Sequence, residues 1–348
     1  MNQPLVSVAI ITYNHSKFIG DALRGVKAQV TDFPVEIVIG DDGSTDDTRA
    51  RCEEFARTYH GTVLISSRKR DHEDRKNYGA VFMQNALATL EECQGKYVAL
   101  LEGDDRWCDE RKLSLQVEFL EKNPEYSMCC HAVEVDFGGS KPCDATQFSC
   151  MVPESDPNER DLRGTDCPPH QPATCSIVVR NEVLHGCAQQ LRRMPLFDLP
   201  IFFLADKKGK IRYIPHVMGV YRMHAGGEWS GGDAIRHYRD LSKACGLMIA
   251  GEIYRDETVR QWLLELLSFN LVNAIKRGAC DQSVSVKDAL QEIIGQNVDL
   301  PWSIGSACQA LLDTRRQLIE TRRSKSFRLG QFLVGAPFRS VFHRWLSH

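Results

Sequence analysis

The chain opens on a nearly continuous apolar run, Leu5 to Ile11, that stops in Thr12-Tyr13-Asn14-His15. Such a run suits a strand buried on both faces. From Phe18 to Ala28 the apolar positions Ile19, Leu23 and Val26 recur at helical spacing. Val35 to Ile39 repeats the strand pattern and closes in Asp41-Asp42-Gly43-Ser44-Thr45-Asp46-Asp47. A helix running to about Tyr59, a short strand at Val63 to Ile65 and a helix from Tyr78 to Leu90 follow. Tyr97 to Leu101 is then apolar or aromatic throughout, and it ends in Glu102-Gly103-Asp104-Asp105. Strands alternating with helices predict an α/β fold, a mostly parallel sheet with helices on both faces. Ligands of such sheets sit at the carboxyl ends of the strands. Three of those ends here carry polar clusters.

Beyond the central strand the pattern predicts a helix from Arg111 to Lys122 and a strand from Met128 to Asp136 with Cys129 and Cys130 on opposite faces. Residues 137–172 are rich in Gly, Pro, Asp and Ser, too long for a plain connection, and are expected to flank an acceptor site. A strand at Ala173 to Arg180, a helix from about Asn181, and two short strands, Ile211 to Ile214 and Val217 to Val220, lead into a glycine-rich flap that ends at Gly232. Helices follow at Ala234 to Ala250, Glu257 to Ile275, Val284 to Ile294 and Ser303 to Thr321.

With 348 residues, 43% hydrophobic and 26% charged, the chain has room for two domains or one large domain with a helical appendix. A net charge of -3 argues against a nucleic-acid partner. The charge is uneven, because Arg315 to His348 holds eight basic side chains and one acid, a local +7 on an otherwise acidic body. Within that tail, Phe327, Phe332, Phe338, Phe342 and Trp345 alternate with Lys325, Arg328, Arg339 and Arg344. The pattern fits an interfacial helix on anionic lipid, or else a terminal helix docked on the body. No apolar run approaches the ~20 residues that span a bilayer, and the start of the chain passes into a strand without a signal peptide. The expected location is cytoplasmic, either free or peripheral on the inner face of the membrane. Thirteen cysteines without any CxxC pair read as reduced, mostly buried thiols. Cys143, Cys150, Cys167, Cys175 and His170 lack the spacing of a compact zinc motif.

Glu102, Asp104 and Asp105 crowd the mouth of an apolar strand, where like charges repel unless a cation joins them. Hard oxygen ligands suit Mg²⁺ or Mn²⁺. The plainer alternative is a solvated turn with Asp109 capping the next helix. Likewise Thr12 and Asn14 can cap the Phe18 helix, and Ser44 with Asp47 approximates a capping box. Asp198, alone in the apolar stretch Met194 to Phe203, is either an N-cap with Pro200 in the first helical turn or a general base.

Taken in order, Val-Ser-Val-Ala-Ile-Ile-Thr-Tyr-Asn, Ile-Val-Ile-Gly-Asp-Asp-Gly-Ser-Thr-Asp-Asp-Thr and Gly-Asp-Asp resemble the motifs of the family 2 glycosyltransferases. The likeness runs over roughly residues 5 to 230. It implies a GT-A fold, with a Rossmann-like sheet in a catalytic domain at 1–232, a helical C-terminal region at 233–323 and the basic amphipathic tail at 324–348. By the same resemblance Thr12, Tyr13 and Asn14 would line the nucleoside pocket. Asp42, beside Asp41, would accept from the uracil imide. Asp104 would bind ribose or metal-bound water, and Asp105 would reach the metal. Arg75 or Lys76 would approach the diphosphate. His224 would complete the metal or diphosphate shell, Trp229 would cover the donor, and Asp198 would be the catalytic base.

The implied activity is inverting, metal-dependent transfer from a nucleoside-diphosphate donor, a UDP-sugar, with Mn²⁺ or Mg²⁺ as cofactor. The implied acceptor is a hydroxyl of a glycan or lipid-linked molecule, as in bacterial surface polysaccharide synthesis. A non-catalytic nucleotide-sugar-binding module that regulates a glycan assembly is the alternative. A nucleotidyltransferase would need a glycine-rich basic loop where Thr12 to His15 stands.

Overall fold

The computed structural model describes residues 3–68, 78–138, 158–167, 172–185, 188–224, 226–227 and 234–277. Their strands are β1 (Val6–Thr12), β2 (Val35–Asp41), β3 (Thr62–Ser67), β4 (Tyr97–Glu102), β5 (Arg106–Trp107), β6 (Tyr126–Asp136), β7 (Arg160–Leu162), β8 (Val178–Arg180) and β9 (Lys210–Arg222). The helices are α1 (Ile19–Lys27), α2 (Thr48–Thr58), α3 (Tyr78–Glu91), α4 (Lys112–Lys122), α5 (Asn181–His185), α6 (Ala188–Leu191), α7 (Asp198–Lys208), α8 (Ala234–Ala250) and α9 (Glu257–Arg277).

All described strands join one sheet in the order β3-β2-β1-β4-β8-β6-β9-β5, with β7 also paired to β9. The long ladders, β3 to β2, β2 to β1, β1 to β4 and β6 to β9, are parallel, whereas each antiparallel one includes one of the short strands β5, β7 and β8. This is the expected α/β layout. Successive side chains divide between two cores. Val8 and Ile10 join α1, α2 and α4 on one face, while Ala9 and Ile11 join α3, α7, α8 and α9 on the other. Cys129 and Cys130 fall on opposite faces, as their adjacency predicts. Both cores are continuous along the sheet, so β1 and β4 are held from above and below.

Several expectations need correction. The two short strands around Pro215 are one strand, β9. Its ladder to β6 passes from His131↔Ile214 to Ala132↔Val217, so a bulge carries Pro215 and His216. Pro215 lacks the N–H that a regular ladder would use. Residues Thr174–Ser176 form a 3-10 turn, which leaves β8 only three residues long. The 137–172 stretch contains β7 and a 3-10 turn at Gly164–Asp166, where the sequence promised only irregular chain. Helices α8 and α9 match expectation and share the core of the sheet through Leu247, Met248, Leu263 and Leu267. The helices expected at Val284 to Ile294 and Ser303 to Thr321, and the tail at 324–348, lie outside the described residues. Among the described residues no helix is long and apolar enough to cross a membrane.

Candidate active site

Parallel register brings the carboxyl ends of β4, β1 and β2 into one row. The amide of Gly103 donates to Ile11 O at 2.9 Å and that of Asp42 to Thr12 O at 3.0 Å, so the three polar clusters continue the ladders beyond the strands. The loops are then tied together. Asn14, in the left-handed region at φ 54°, donates its amide to Ser44 Oγ at 2.9 Å and accepts from Thr45 N at 2.8 Å through Oδ1. Asp46 accepts from Ser16 N and from Thr48, and although burial pushes its carboxyl up, these hydrogen bonds bring it down to about 2. Neither capping alternative is realised: α1 and α2 lack side-chain caps, and Asn14 serves the neighbouring loop instead.

Asp41 and Asp42 are both buried. The Asp41 carboxylate accepts from Ser44 N at 3.1 Å, an internal duty that holds the Asp-Asp-Gly-Ser turn. Thr12 is buried, and among the described residues its hydroxyl makes no hydrogen bond. Gly103 is required by packing, because a Cβ there would lie 2.5 Å from Thr12 Oγ1 and 2.9 Å from His15 Nδ1.

The acid pair is almost enclosed, with Asp104 9% and Asp105 1% exposed. Asp104 Oδ2 lies 3.0 Å from His224 Nε2 and 3.6 Å from His15 Nε2. Asp105 Oδ1 accepts from the Arg222 amide at 2.8 Å. The other oxygen of each, Asp104 Oδ1 and Asp105 Oδ2, is buried and accepts no hydrogen bond. Burial pushes the Asp104 carboxyl up, but the charges of His15 and His224 prevail and hold it below the usual range. Burial, then the charge of Asp104, pushes Asp105 well above that range. The buried Cys175 thiol also hydrogen-bonds to the Asp105 carboxylate, and a hard divalent cation beside the two enclosed carboxylates would let both ionise. Among the described residues no three His, Cys, Asp or Glu side chains gather as a complete metal site, so the pair offers a partial donor set, which suits Mg²⁺ or Mn²⁺ because these ions complete their shells with water and substrate phosphate.

Asp198 is half-buried and opens α7 as its first helical residue, one position later than the N-cap expected, and Pro200 stands in the first turn. Its Oδ1 accepts from Leu199 N at 2.8 Å. Tyr221 on β9 lies within the field of Asp198 and the acid pair. Burial, followed by the charges of Glu102, Asp105, Asp104 and Asp198, pushes the Tyr221 phenol well above its ordinary value.

The structure brings together Thr12, Tyr13, Asn14, Asp41, Asp42, Asp104, Asp105 and His224 at adjoining loop starts. Arg75, Lys76 and Trp229 lie outside the described residues. Sequence reasoning passed over His15, Tyr221 and Arg222 as site residues. His15 ends the same polar run as Thr12, and the other two immediately precede Met223-His224, so position relative to a strand end was the available signal.

The sequence profile described as Glycosyl transferase family 2 matches residues 7–184, just over half of the chain, and takes in all three strand ends. The chain belongs to that family. Among relatives of this family 2 chain is the uncharacterized protein Rv1520 of Mycobacterium tuberculosis, 32% identical over 235 residues, 64% of this chain and 60% of that protein. The match thus spans less than two thirds of that relative. Among solved structures, S. aureus TarS 1-349 in complex with UDP-GlcNAc aligns over 95% of this chain and 98% of its own, at 16% identity and TM-score 0.62. The mannosyltransferase PcManGT from Pyrobaculum calidifontis, in complex with GDP-Man and Mn²⁺, aligns over 93% and 89%, at 16% identity and TM-score 0.50. At such identities the likeness is one of fold, that of GT-A glycosyltransferases.

Proposed function

We propose that this chain transfers a sugar from a UDP-linked donor to a hydroxyl of a glycan or lipid-linked acceptor, with inversion, using Mn²⁺ or Mg²⁺ at Asp104 and Asp105. One observation carries the reading: Asp104 Oδ1 and Asp105 Oδ2 are buried at the end of β4 and take no part in the bonds from His224 and Arg222, in line with Thr12 and Asp42. A fold neighbour solved with GDP-Man and Mn²⁺ supports the ligand class.

In this reading Thr12, Tyr13 and Asn14 form the floor for the nucleoside. The Asp42 carboxylate accepts from the imide N–H of uracil, a demand that cytosine, with no such donor, fails. Asp105, Asp104 and His224 would hold the cation, and Asp104 would also reach the ribose or a metal-bound water. When bound, the cation supplies positive charge that stabilises the diphosphate leaving group. Asp198 orients the acceptor hydroxyl and takes its proton as that oxygen bonds to the anomeric carbon. The bond from that carbon to the diphosphate breaks on the opposite face, and UDP leaves with the electron pair.

Thermal unfolding of the full chain with UDP, GDP and their sugars, each with and without Mn²⁺, tests this. A ligand at ~100 times its dissociation constant adds about 2.7 kcal/mol. The expected result is stabilisation by UDP that requires Mn²⁺ and is lost in Asp105→Asn. Stabilisation by GDP alone would overturn the uridine assignment, and none with any nucleotide would overturn donor binding.

A further inference from the structure

Arg222 ends β9 with a side chain only 11% exposed, yet it lies beside a cluster that fits a divalent cation. A cation of its own there would oppose metal binding unless its charge were absorbed. Two acids face it, one of them, Asp21, shared with Arg24, so that two guanidinium groups meet two carboxylates. Its Nη2 donates to Asp21 Oδ2 on α1 at 3.0 Å, and its Nε lies 3.7 Å from Asp136 Oδ2 at the end of β6. The guanidinium also stacks 4.8 Å from the Phe18 ring, the same ring that packs 4.5 Å from His224.

What remains of its hydrogen-bonding capacity is aimed at the acid pair. Nη1 donates to the backbone oxygen of Asp104 at 2.6 Å, and the amide donates to Asp105 Oδ1 at 2.8 Å. Those two bonds fix the turn from both sides. One oxygen of Asp105 is held, the peptide that follows Asp104 is held, and Asp104 Oδ1 and Asp105 Oδ2 are left over. The register of β9 sets this, since Arg222 pairs with Asp136 and Val220 with Arg106, one residue beyond Asp105.

We propose that Arg222 is a positioning residue for the metal site: anchored on Asp21 and Asp136, it holds the Asp104–Asp105 turn through Asp104 O and Asp105 Oδ1 and leaves Asp104 Oδ1 and Asp105 Oδ2 for the cation. It does so as a scaffold with its charge neutralised, not as a ligand of the diphosphate. The inference rests on the metal reading above and deepens it. Groups that orient metal ligands from behind typically govern affinity by about 10- to 100-fold.

The test is Mn²⁺ binding by the full chain, read from the electron paramagnetic resonance signal of free Mn²⁺, with and without UDP, alongside thermal midpoints. Wild type binds and Asp105→Asn does not. Arg222→Met weakens Mn²⁺ affinity at least about tenfold. Arg222→Lys recovers only part, because a point ammonium lacks the fork that spans Asp21 and Asp104. Asp21→Asn weakens it by a smaller factor, through the charge left uncompensated. If Arg222→Met does not fold, Arg222→Lys and Asp21→Asn carry the test. Unchanged Mn²⁺ affinity in the folded variants overturns the inference and leaves the metal reading standing. Unchanged Mn²⁺ affinity with weakened UDP binding assigns Arg222 to the diphosphate and overturns it as well. Absence of Mn²⁺ binding by wild type overturns the metal reading itself.

Discussion

His224 Nε2 meets Asp104 Oδ2 at 3.0 Å, joining the exit of β9 to the turn after β4 across 120 residues of chain. His15 approaches the same oxygen from the exit of β1, but only to 3.6 Å. The closer histidine also rests on Phe18, so its ring has a fixed address. His224→Ala is expected to raise the Mn²⁺ concentration for half-maximal stabilisation by UDP about 10- to 100-fold, and His15→Ala by less. A thermal-shift titration of Mn²⁺ at constant UDP checks both. Equal effects would mean that distance to Asp104 does not rank the two.

Asp198 stands at the head of α7, apart from the row that would hold the nucleotide. Asp198→Asn is therefore expected to keep UDP affinity within about twofold while transfer falls by about 10² to 10⁴, the usual reach of general-base catalysis. Calorimetric titration with UDP, paired with product formation from the UDP-sugar that stabilises best, separates the two. Turnover near the wild-type level would put the base elsewhere.

The glycine of Gly-Asp-Asp is a packing requirement. In Gly103→Ala the new methyl would lie 2.5 Å from Thr12 Oγ1, and neither Thr12 nor the strand beneath it has room to yield. Overpacking of this kind costs about 1–3 kcal/mol, and the displaced turn should lose UDP-dependent stabilisation entirely. Gly20→Ala in α1 is the control, since its nearest contact is the flexible end of Arg24 at 3.4 Å. That change should be neutral or stabilising by up to about 1 kcal/mol.

Most of this architecture is legible where a local pattern suffices. The apolar runs of β1, β2 and β4 declare buried strands, and the polar residues that stop them declare the site. Three kinds of feature are not legible that way. Strands of two or three residues, β5 and β7, are too short to carry a period. The bulge at Pro215 interrupts one strand so that its halves read as two. Arg222 reaches Asp104 and Asp105 only through pairing of β9 with β5 and β6, a long-range register that no window of sequence contains. Domain limits, Arg75, Trp229 and the basic tail stay expectations of sequence.

Lys112 gives the last prediction. It opens α4 fully buried, its Nζ has no hydrogen-bond partner among the described residues, and that nitrogen lies 4.1 Å from the centre of the Trp107 ring. Burial lowers its pKa from 10.5 to about 7, with Cys129 and Cys175 opposing weakly. The folded state thus gives up a proton that the unfolded chain keeps, and between pH 7 and about 10 the unfolded chain binds more protons. This residue's contribution to stability therefore rises with pH across that window, and the full cost of burying the charge is present below it. Lys112→Met removes the charge at nearly constant volume. At pH 7 it is expected to stabilise the protein by on the order of 2–4 kcal/mol, a gain that shrinks as pH approaches 9. Denaturant unfolding of both proteins at pH 7, 8 and 9 isolates the effect as a difference, because other titrating groups are common to the two. A variant less stable than wild type at pH 7 would mean that the contact with Trp107 outweighs the cost of burial.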